Sequence, residues 1–182
     1  MRADGTGVNA LRLTMLIAMA LGLLACSAKD TKKHAMKTTP TDAGAQVEKT
    51  DAEWKKQLSA EQYRILREAG TEPAHGKVYE EFKKQGEGTY HCAACDALLF
   101  SSQQKFDSGC GWPSFYDPAE AQNVRLRPDN SGGRLRTEVI CAICGGHLGH
   151  VFKGEGFDTP TDQRYCINGG ALKFTGPDPV GK

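Results

Sequence analysis

Four of the seven cysteines in this 182-residue chain stand in two C-x-x-C pairs. The pairs are Cys92 with Cys95 and Cys141 with Cys144. A two-residue gap allows both thiolates of a turn to bind one tetrahedral ion, and two such pairs complete a four-sulfur zinc site. The pairs are further apart in sequence than in compact zinc modules, so the zinc would join two distant hairpins of one domain.

Another chemistry is open to the same pairs. In an oxidising compartment, a C-x-x-C pair can close as a disulfide or take part in thiol exchange. Two equivalent pairs fit one ion better than two independent redox sites, and we therefore expect a structural zinc ion.

Two further cysteines have surroundings that suit a reactive thiol. Cys110 stands between Gly109 and Gly111, which allow unusual backbone angles. Arg164 precedes Cys166 by two residues, so the two side chains share a face if this segment is a strand. A neighbouring positive charge lowers the pKa of a thiol and favours the thiolate that acts as a nucleophile or redox centre.

Two histidines, His147 and His150, stand between these cysteines in sequence. They could extend a metal site, but four thiolates already satisfy zinc, and a pair that donates protons near neutral pH is the alternative. A single histidine or a single Trp112 would more often be a packing residue. Their combination with two free thiols indicates an active site.

The N-terminal part predicts export and a lipid anchor. The apolar run at 13–25 is too short to span a membrane but fits the core of a secretory signal peptide. It ends in Leu-Leu-Ala-Cys26, which resembles the lipobox of bacterial lipoproteins. This resemblance implies that Cys26 carries the lipid and becomes the first mature residue, and that Ser27 after it favours the periplasmic face of the outer membrane.

The remaining sequence predicts one mainly β domain at 51–176, after a signal peptide at 1–25 and a flexible tether at 26–50, with a tail at 177–182. Trp54 and Leu58 predict a short turn of helix. A capping box at Ser59 and Gln62 predicts a second helix, which Gly70 would end.

Short apolar or alternating segments separated by turn residues predict antiparallel strands from Thr89 onward. These segments are 89–90, 97–100, 124–126, 135–140, 147–152, 164–167 and 171–174.

The charge balance argues against a nucleic-acid partner. The chain has 23 basic and 22 acidic residues and a formal net charge of +1. Proteins that follow a phosphate backbone usually carry a basic excess.

Several segments between residues 51 and 175 resemble one known family. They are Glu53-Trp-Lys-Lys-Gln-Leu58, Gly70-Thr-Glu-Pro73, Tyr90-His-Cys-Ala-Ala-Cys95, Phe106-Asp-Ser-Gly-Cys-Gly-Trp-Pro-Ser-Phe-Tyr116, Gly145-Gly-His-Leu-Gly-His-Val-Phe152 and Arg164-Tyr-Cys-Ile-Asn168. In content and order they resemble the B-type methionine sulfoxide reductases. The resemblance implies two antiparallel sheets with short N-terminal helices, joined by a zinc site away from the active site. It also implies reduction of the R epimer of methionine sulfoxide in proteins and peptides.

The resemblance further implies individual roles. Cys166 would be the nucleophile, Cys110 the resolving thiol that forms a disulfide with it, and Trp112 the residue that packs on the substrate methyl group. The polar active-site positions would be His147, His150, Arg164 and Asn168. The implied partners are oxidised proteins or peptides and a thioredoxin-like reductant, with membrane contact only through the lipid, no nucleic acid, and a monomeric state.

Two departures from the family pattern stand near these positions. The stretch at 153–163 is slightly longer than the usual family loop, and Gly169-Gly170 replaces a common Ser-Ala. The longer loop could alter how peptides approach. Which histidine delivers the proton, and whether Asp162 helps, stays open at this point.

Two other classes of protein compete with this reading. A zinc-ribbon binding module would explain the four paired cysteines but leaves Cys110, Cys166 and Trp112 without a role. A lipid-anchored thiol-exchange protein would use the leftover thiols, yet such proteins usually place both redox cysteines in one C-x-x-C at a helix start.

Overall fold

The computed structural model describes residues 46–177, and this part of the chain is mainly β, as the sequence predicts. Three short helices precede two antiparallel sheets. The predicted signal peptide, the lipobox cysteine Cys26, most of the tether and most of the tail lie outside the described residues. Within 46–177, no helix has the length and apolar character that a membrane crossing requires.

The first two helices begin where the sequence places a cap. Helix α1 spans Asp51–Gln57 and buries Trp54, and helix α2 spans Ala60–Glu68. The predicted capping box of α2 is confirmed, since Ser59 Oγ accepts from the Gln62 backbone and the Gln62 side chain accepts from the Ser59 backbone. The two reciprocal bonds satisfy N–H groups that have no partner inside the helix.

The end of α2 differs from the prediction. Ala69, and not Gly70, takes the left-handed conformation that ends the helix, with φ of 53°. Gly70 is needed for a different reason: a Cβ there would lie 2.8 Å from the carbonyl oxygen of Arg64. A third helix, α3 at Lys77–Lys84, was not predicted from the sequence.

Eight strands form the two sheets. They are β1 Thr89–Cys92, β2 Leu98–Ser101, β3 Ser114–Phe115, β4 Val124–Asp129, β5 Arg136–Cys141, β6 His147–Lys153, β7 Gln163–Ile167 and β8 Leu172–Thr175. One sheet has the order β2-β1-β8, and the other has the order β3-β7-β6-β5-β4. All seven predicted strands are present, and only the two-residue edge strand β3 was missed.

An aromatic cluster packs the two sheets together. Phe100 of β2 stacks on Phe115 of β3, with ring centroids 4.4 Å apart, and Tyr90 of β1 meets the same Phe115 at 5.0 Å. All three side chains are fully buried. Helix α2 adds Ile65 and Leu66 to this core. The large sheet thus packs against both the small sheet and helix α2, which gives β6 and β7 a fixed frame.

Candidate active site and metal centre

The two C-x-x-C pairs form matching turns. In each turn the first cysteine carbonyl accepts from the backbone nitrogen four residues later, Asp96 in one turn and Gly145 in the other. Both of these residues have positive φ, 62° and 71° respectively. The sequence predicted a tight knuckle only for the second pair, because Asp96 tolerates this conformation less readily than glycine does.

These turns bring four sulfur atoms together. The four Sγ atoms lie within 4.8 Å of one another, with 3.7 Å between Cys92 and Cys144 and 3.6 Å between Cys95 and Cys141. Zinc–sulfur bonds of about 2.3 Å in a tetrahedron place the sulfurs about 3.8 Å apart. The cluster therefore fits a tetrahedral thiolate-bound ion. Because one pair follows β1 and the other follows β5, the ion would join the two sheets.

The other two thiols also meet. Cys166 lies on β7 opposite Ser114 of β3, and Cys110 lies on the loop that leads into β3. The two Sγ atoms are 3.7 Å apart. Gly109 and Gly111 on either side of Cys110 have φ of 69° and 90°, which residues with a side chain rarely adopt. The sequence prediction of unusual backbone angles is confirmed.

The contact between the thiols decides where their charge resides. It lowers the pKa of Cys110 to about 4, because the Cys166 thiol donates to it, with further help from the Ser108 and Ser114 hydroxyls. The same contact, together with burial, raises the pKa of Cys166, and Arg164 acts in the opposite direction without prevailing. Arg164 thus favours the Cys166 thiolate, as the sequence predicts, but the contact with Cys110 and burial outweigh it. The two opposite pKa shifts favour the thiolate on Cys110 and the thiol on Cys166.

Arg164 is fixed by the loop between β6 and β7. Its Nε and Nη2 atoms donate to the two carboxylate oxygens of Glu155, both at 2.8 Å, and its guanidinium lies 4.5 Å from the Phe152 ring. The same guanidinium lies 5.9 Å from the centroid of the Phe157 ring, which belongs to this loop. The Phe157 ring packs on Phe106, with the two ring centroids 5.2 Å apart. The loop thus links Arg164 to the segment that carries Cys110.

Glu155, the acidic partner of Arg164, was not identified from the sequence. Asp162 accepts from the backbone nitrogen of Gly156 and stabilises the loop itself, whereas Glu155 holds Arg164. Nothing in the sequence pattern distinguished these two acidic residues.

Both predicted histidines lie on β6, next to β7. His150 is directly opposite Cys166 in the register of the two strands, so their side chains share one face of the sheet. The ring centroids of His147 and His150 are 5.5 Å apart. Each ring contacts a carboxylate at 2.7 Å, His147 through Nδ1 to Glu138 and His150 through Nε2 to Asp129. Neither acid was identified from the sequence.

Asn168 has a different environment from the thiols. Its side-chain nitrogen donates to the Leu148 carbonyl at 3.0 Å, and its oxygen accepts from the Glu72 backbone nitrogen at 3.1 Å. The residue is 3% exposed. Both polar groups of the amide are therefore used inside the fold, next to the end of β7.

Glu72 connects several of these residues and was missed. Its carbonyl accepts from Trp112 Nε1 at 3.0 Å, and its carboxylate accepts from the backbone nitrogens of Gly169 and Gly170 at 2.6 and 2.8 Å. Burial raises the pKa of this carboxyl, and the two glycine N–H groups act against that shift. The only sequence signal was its place in the segment Gly70-Thr-Glu-Pro73.

The two glycines that depart from the family pattern are tightly surrounded. A Cβ on Gly169 would lie 2.3 Å from Val78 Cγ1, and one on Gly170 would lie 2.8 Å from Ile65 Cδ1. Side chains of the helices occupy the space that Ser and Ala would need. The departure from the family pattern is therefore matched by local packing.

The chain is similar to known proteins over most of the described residues. The model of the SelR domain matches residues 58–176. A peptide methionine sulfoxide reductase MsrB of Leptospira interrogans is 55% identical over 130 residues, covering 71% of this chain and 95% of the relative. Peptide methionine sulfoxide reductase B8 of Arabidopsis thaliana is 50% identical over 144 residues, covering 79% and 97%.

A third relative agrees with these two. The peptide methionine sulfoxide reductase MsrB of Thiobacillus denitrificans is 56% identical over 126 residues, covering 69% of this chain and 92% of its own length. The matched segment includes both cysteine pairs, the thiol pair, the two histidines and Glu72. The extent of the domain match and the identity to these relatives show that the chain belongs to the SelR-domain family of B-type methionine sulfoxide reductases.

Proposed function

We propose that the chain reduces methionine-R-sulfoxide in oxidised proteins and peptides to methionine, at the expense of a thiol pair. The observation that supports this most directly is the 3.7 Å separation of the Cys110 and Cys166 sulfurs beside His150 and Arg164. The names of the relatives point to the same activity. Overall, a sulfoxide and two thiols would give a thioether, a disulfide and water.

The first step is attack by the Cys166 sulfur on the sulfoxide. As the Cys166 sulfur attacks the sulfoxide sulfur, the proton of the Cys166 thiol passes to the Cys110 thiolate across their contact. The substrate oxygen gains a proton from one of the two histidines or from a water molecule that they hold, and it passes as hydroxyl to the Cys166 sulfur. The sulfur–oxygen bond of the substrate and its transient bond to Cys166 break as a sulfur–oxygen bond forms on Cys166. The products are methionine, a Cys110 thiol and a sulfenic acid on Cys166.

The second step protects the oxidised sulfur. The Cys110 thiol attacks the sulfenic acid, a disulfide forms, and the oxygen leaves as water. An external dithiol then reduces the disulfide by exchange through a mixed disulfide. For an exported chain, this donor would be a thioredoxin-like protein of the periplasm or the membrane.

Trp112 supplies the apolar part of the substrate site in this scheme. The indole is half-buried, and its nitrogen is already bonded to the Glu72 carbonyl. The ring face is then available for the methyl group of the substrate.

We propose that the cluster of Cys92, Cys95, Cys141 and Cys144 binds a structural zinc ion. Four buried or half-buried thiols at tetrahedral spacing form a closed site, and closed four-sulfur sites of this kind stabilise folds. Zinc would contribute stability by joining the turn after β1 to the turn after β5. The reaction steps above need no group from this site.

We also propose that the domain works at the periplasmic face of the outer membrane. The support is the lipobox-like sequence that ends at Cys26 and the polar tether that follows it. Expression of the full chain with Cys26→Ala should release the protein from the membrane fraction into the periplasmic extract. Full retention in the membrane fraction would contradict the lipid anchor.

The activity is tested with both epimers of a methionine sulfoxide peptide and a dithiol reductant. We expect turnover of the R epimer only, and complete loss of turnover in Cys166→Ser. Cys110→Ser is the matched thiol variant, and it should keep a single turnover but lose recycling by a thioredoxin-like donor. Turnover that survives Cys166→Ser would exclude Cys166 as the nucleophile.

The same assay separates the competing functions. A zinc-ribbon binding module would reduce neither epimer. A general thiol-exchange protein would reduce unrelated disulfides at least as fast as the sulfoxide. Against the latter, Cys110 and Cys166 are 56 residues apart, on a loop and a strand, and do not form a C-x-x-C at a helix start.

A further inference from the structure

The hairpin of β4 and β5 carries two similar pairs of charged residues. Arg127 of β4 is the register partner of Glu138 on β5, and Asp129 of β4 is the register partner of Arg136 on β5. Each arginine forms an ion pair with the carboxylate opposite, and the distance from Arg136 Nη2 to Asp129 Oδ2 is 2.6 Å. Each carboxylate is thus held by an arginine on one side.

A histidine of β6 contacts each carboxylate on its other side. Glu138 meets His147 Nδ1, and Asp129 meets His150 Nε2, both at 2.7 Å. The side chains of the first pair are 5% and 7% exposed, and those of the second are 14% and 13% exposed. The result is two arginine–carboxylate–histidine chains side by side, both ending next to the strand that carries Cys166.

Both carboxylates are ionised near neutral pH and can therefore only accept hydrogen bonds. Hydrogen bonds from Ser131, and further ones from His150 and Arg136, lower the pKa of Asp129. Burial acts to raise the pKa of Glu138, but the bonds from Arg127 and His147 outweigh it and leave the pKa lowered. The histidine nitrogen that faces each carboxylate must then carry a hydrogen.

The second ring nitrogen of His147 is Nε2, which is not the atom that contacts Glu138. Within residues 46–177, the buried Nε2 atom of His147 has no hydrogen-bond partner. Burial of a polar atom without a hydrogen-bond partner costs free energy, so such an atom usually finds its partner in a bound ligand or an ordered water molecule. The neighbouring His150 ring and its register partner Cys166 place this atom beside the candidate active site.

We propose that Glu138 and Asp129 are positioning residues that fix opposite tautomers of the two histidines. Glu138 holds His147 with its hydrogen on Nδ1, and Asp129 holds His150 with its hydrogen on Nε2. The two rings then offer His147 Nε2 and His150 Nδ1 for proton transfer at the Cys166 site. The arginines hold the carboxylates in place, so that neither acid can turn toward the substrate.

The kinetic consequence rests on the proposed function. A ring with a fixed tautomer and orientation can take up a proton and deliver it to the sulfoxide oxygen without first rotating. Loss of either carboxylate should therefore lower kcat more than it raises KM. The tautomers themselves are independent of any substrate.

The primary test is nitrogen NMR of the histidine side chains in the full chain, labelled with 15N-histidine and reduced. We expect a protonated Nδ1 for His147 and a protonated Nε2 for His150, each ring being assigned by its His→Gln variant. Protonation of the other nitrogen in either neutral ring would overturn the proposal. This measurement is made on the unmodified chain and needs no turnover.

The second test uses Asp129→Asn and Glu138→Gln, with Glu61→Gln as the matched control. Glu61 also pairs with an arginine, Arg64, and within residues 46–177 it has no hydrogen bond or ion pair with a histidine. We expect each of the first two variants to alter the tautomer signal of its own histidine only and to lower kcat by about 10- to 100-fold, with KM within about threefold of the parent. The control should leave both signals and kcat unchanged.

Two results would count against the proposal in these variants. One is a fall in kcat with both tautomer signals unchanged, which would assign the carboxylates a purely structural role. The other is an altered tautomer with kcat unchanged. If the wild-type chain reduces no sulfoxide but shows the expected tautomers, the proposed function fails while the positioning role stands.

Discussion

The indole nitrogen of Trp112 donates to the main-chain carbonyl of Glu72 at 3.0 Å, although the two residues are 40 positions apart. The carboxylate of the same Glu72 accepts from two backbone nitrogens just after β7. One residue therefore ties the tryptophan to the end of the strand that bears Cys166. The orientation of Trp112 depends on how firmly this carboxylate is held.

Glu72→Gln should weaken that connection. A glutamine side chain has one acceptor oxygen, so one of the two glycine N–H groups loses its bond and faces an NH2 group instead. We expect the free energy of unfolding to fall by about 1–3 kcal/mol. We also expect KM for a sulfoxide peptide to rise more than kcat falls, since Trp112 would be less well placed. Urea unfolding and steady-state kinetics check this, with the exposed Glu87→Gln as the control.

Cys110→Ala should lower the pKa of Cys166. The hydrogen bond with Cys110 is the largest cause of its raised pKa, and the variant removes that bond while Arg164 stays. The pH dependence of alkylation at Cys166 should therefore shift to lower pH than in the parent chain. In the parent, Cys110 should be the first of the pair to react at pH 6, because its pKa is about 4. Iodoacetamide labelling with mass spectrometry measures both sites, and preferential labelling of Cys166 in the parent would contradict this charge distribution.

Removal of the metal should loosen the contact between the two sheets. Cys95→Ser takes away one of the four ligands, and we expect metal content to fall from about one ion per chain and Tm to fall by about 10 °C or more. Elemental analysis and thermal unfolding measure the two effects. Cys110→Ser is the matched control, since it removes a thiol outside the cluster. A metal-free parent with two disulfides would show that the cluster is not a metal site.

Phe157→Ala should affect peptide substrates through Arg164. The Phe157 ring packs on Phe106 and lies next to the Arg164 guanidinium. Loss of the ring should therefore increase the mobility of the loop segment that carries Glu155. We expect a fall in kcat/KM of about 3- to 10-fold for a sulfoxide peptide, with faster amide exchange in the loop. Lys153→Ala, an exposed change at the end of β6 where the loop begins, should leave both values unchanged. Equal exchange rates in Phe157→Ala and the parent would exclude this role.

Much of the fold was predictable because the relevant signals are local. Alternation of apolar residues, together with turn residues, located seven of the eight strands. Strand β3 has only two residues and gives no periodic signal. The left-handed residue Ala69 was also missed, since glycine is the usual residue at such a position and Gly70 follows directly.

The functional site was likewise predictable only where its sequence signals are local. Spacing alone paired the metal ligands, and the Gly-Cys-Gly segment indicated an unusual loop at Cys110. Glu72 could not be identified in this way, because its carboxylate acts on backbone groups 97 and 98 positions later. The lowered pKa of Cys110 likewise depends on its contact with a sulfur 56 residues away. Contacts of this kind are created by the packing of the sheets and leave no mark in the local sequence.

The aromatic cluster between the sheets also bears on the chemical durability of the domain. Phe100, Phe115 and Tyr90 occupy the centre where many proteins place methionine to fill gaps. All four methionines of the chain stand at or before Met36, so none belongs to residues 46–177. A core without thioethers cannot suffer the lesion that the enzyme is proposed to reverse. Under oxidative stress, the fold would not depend on its own repair activity.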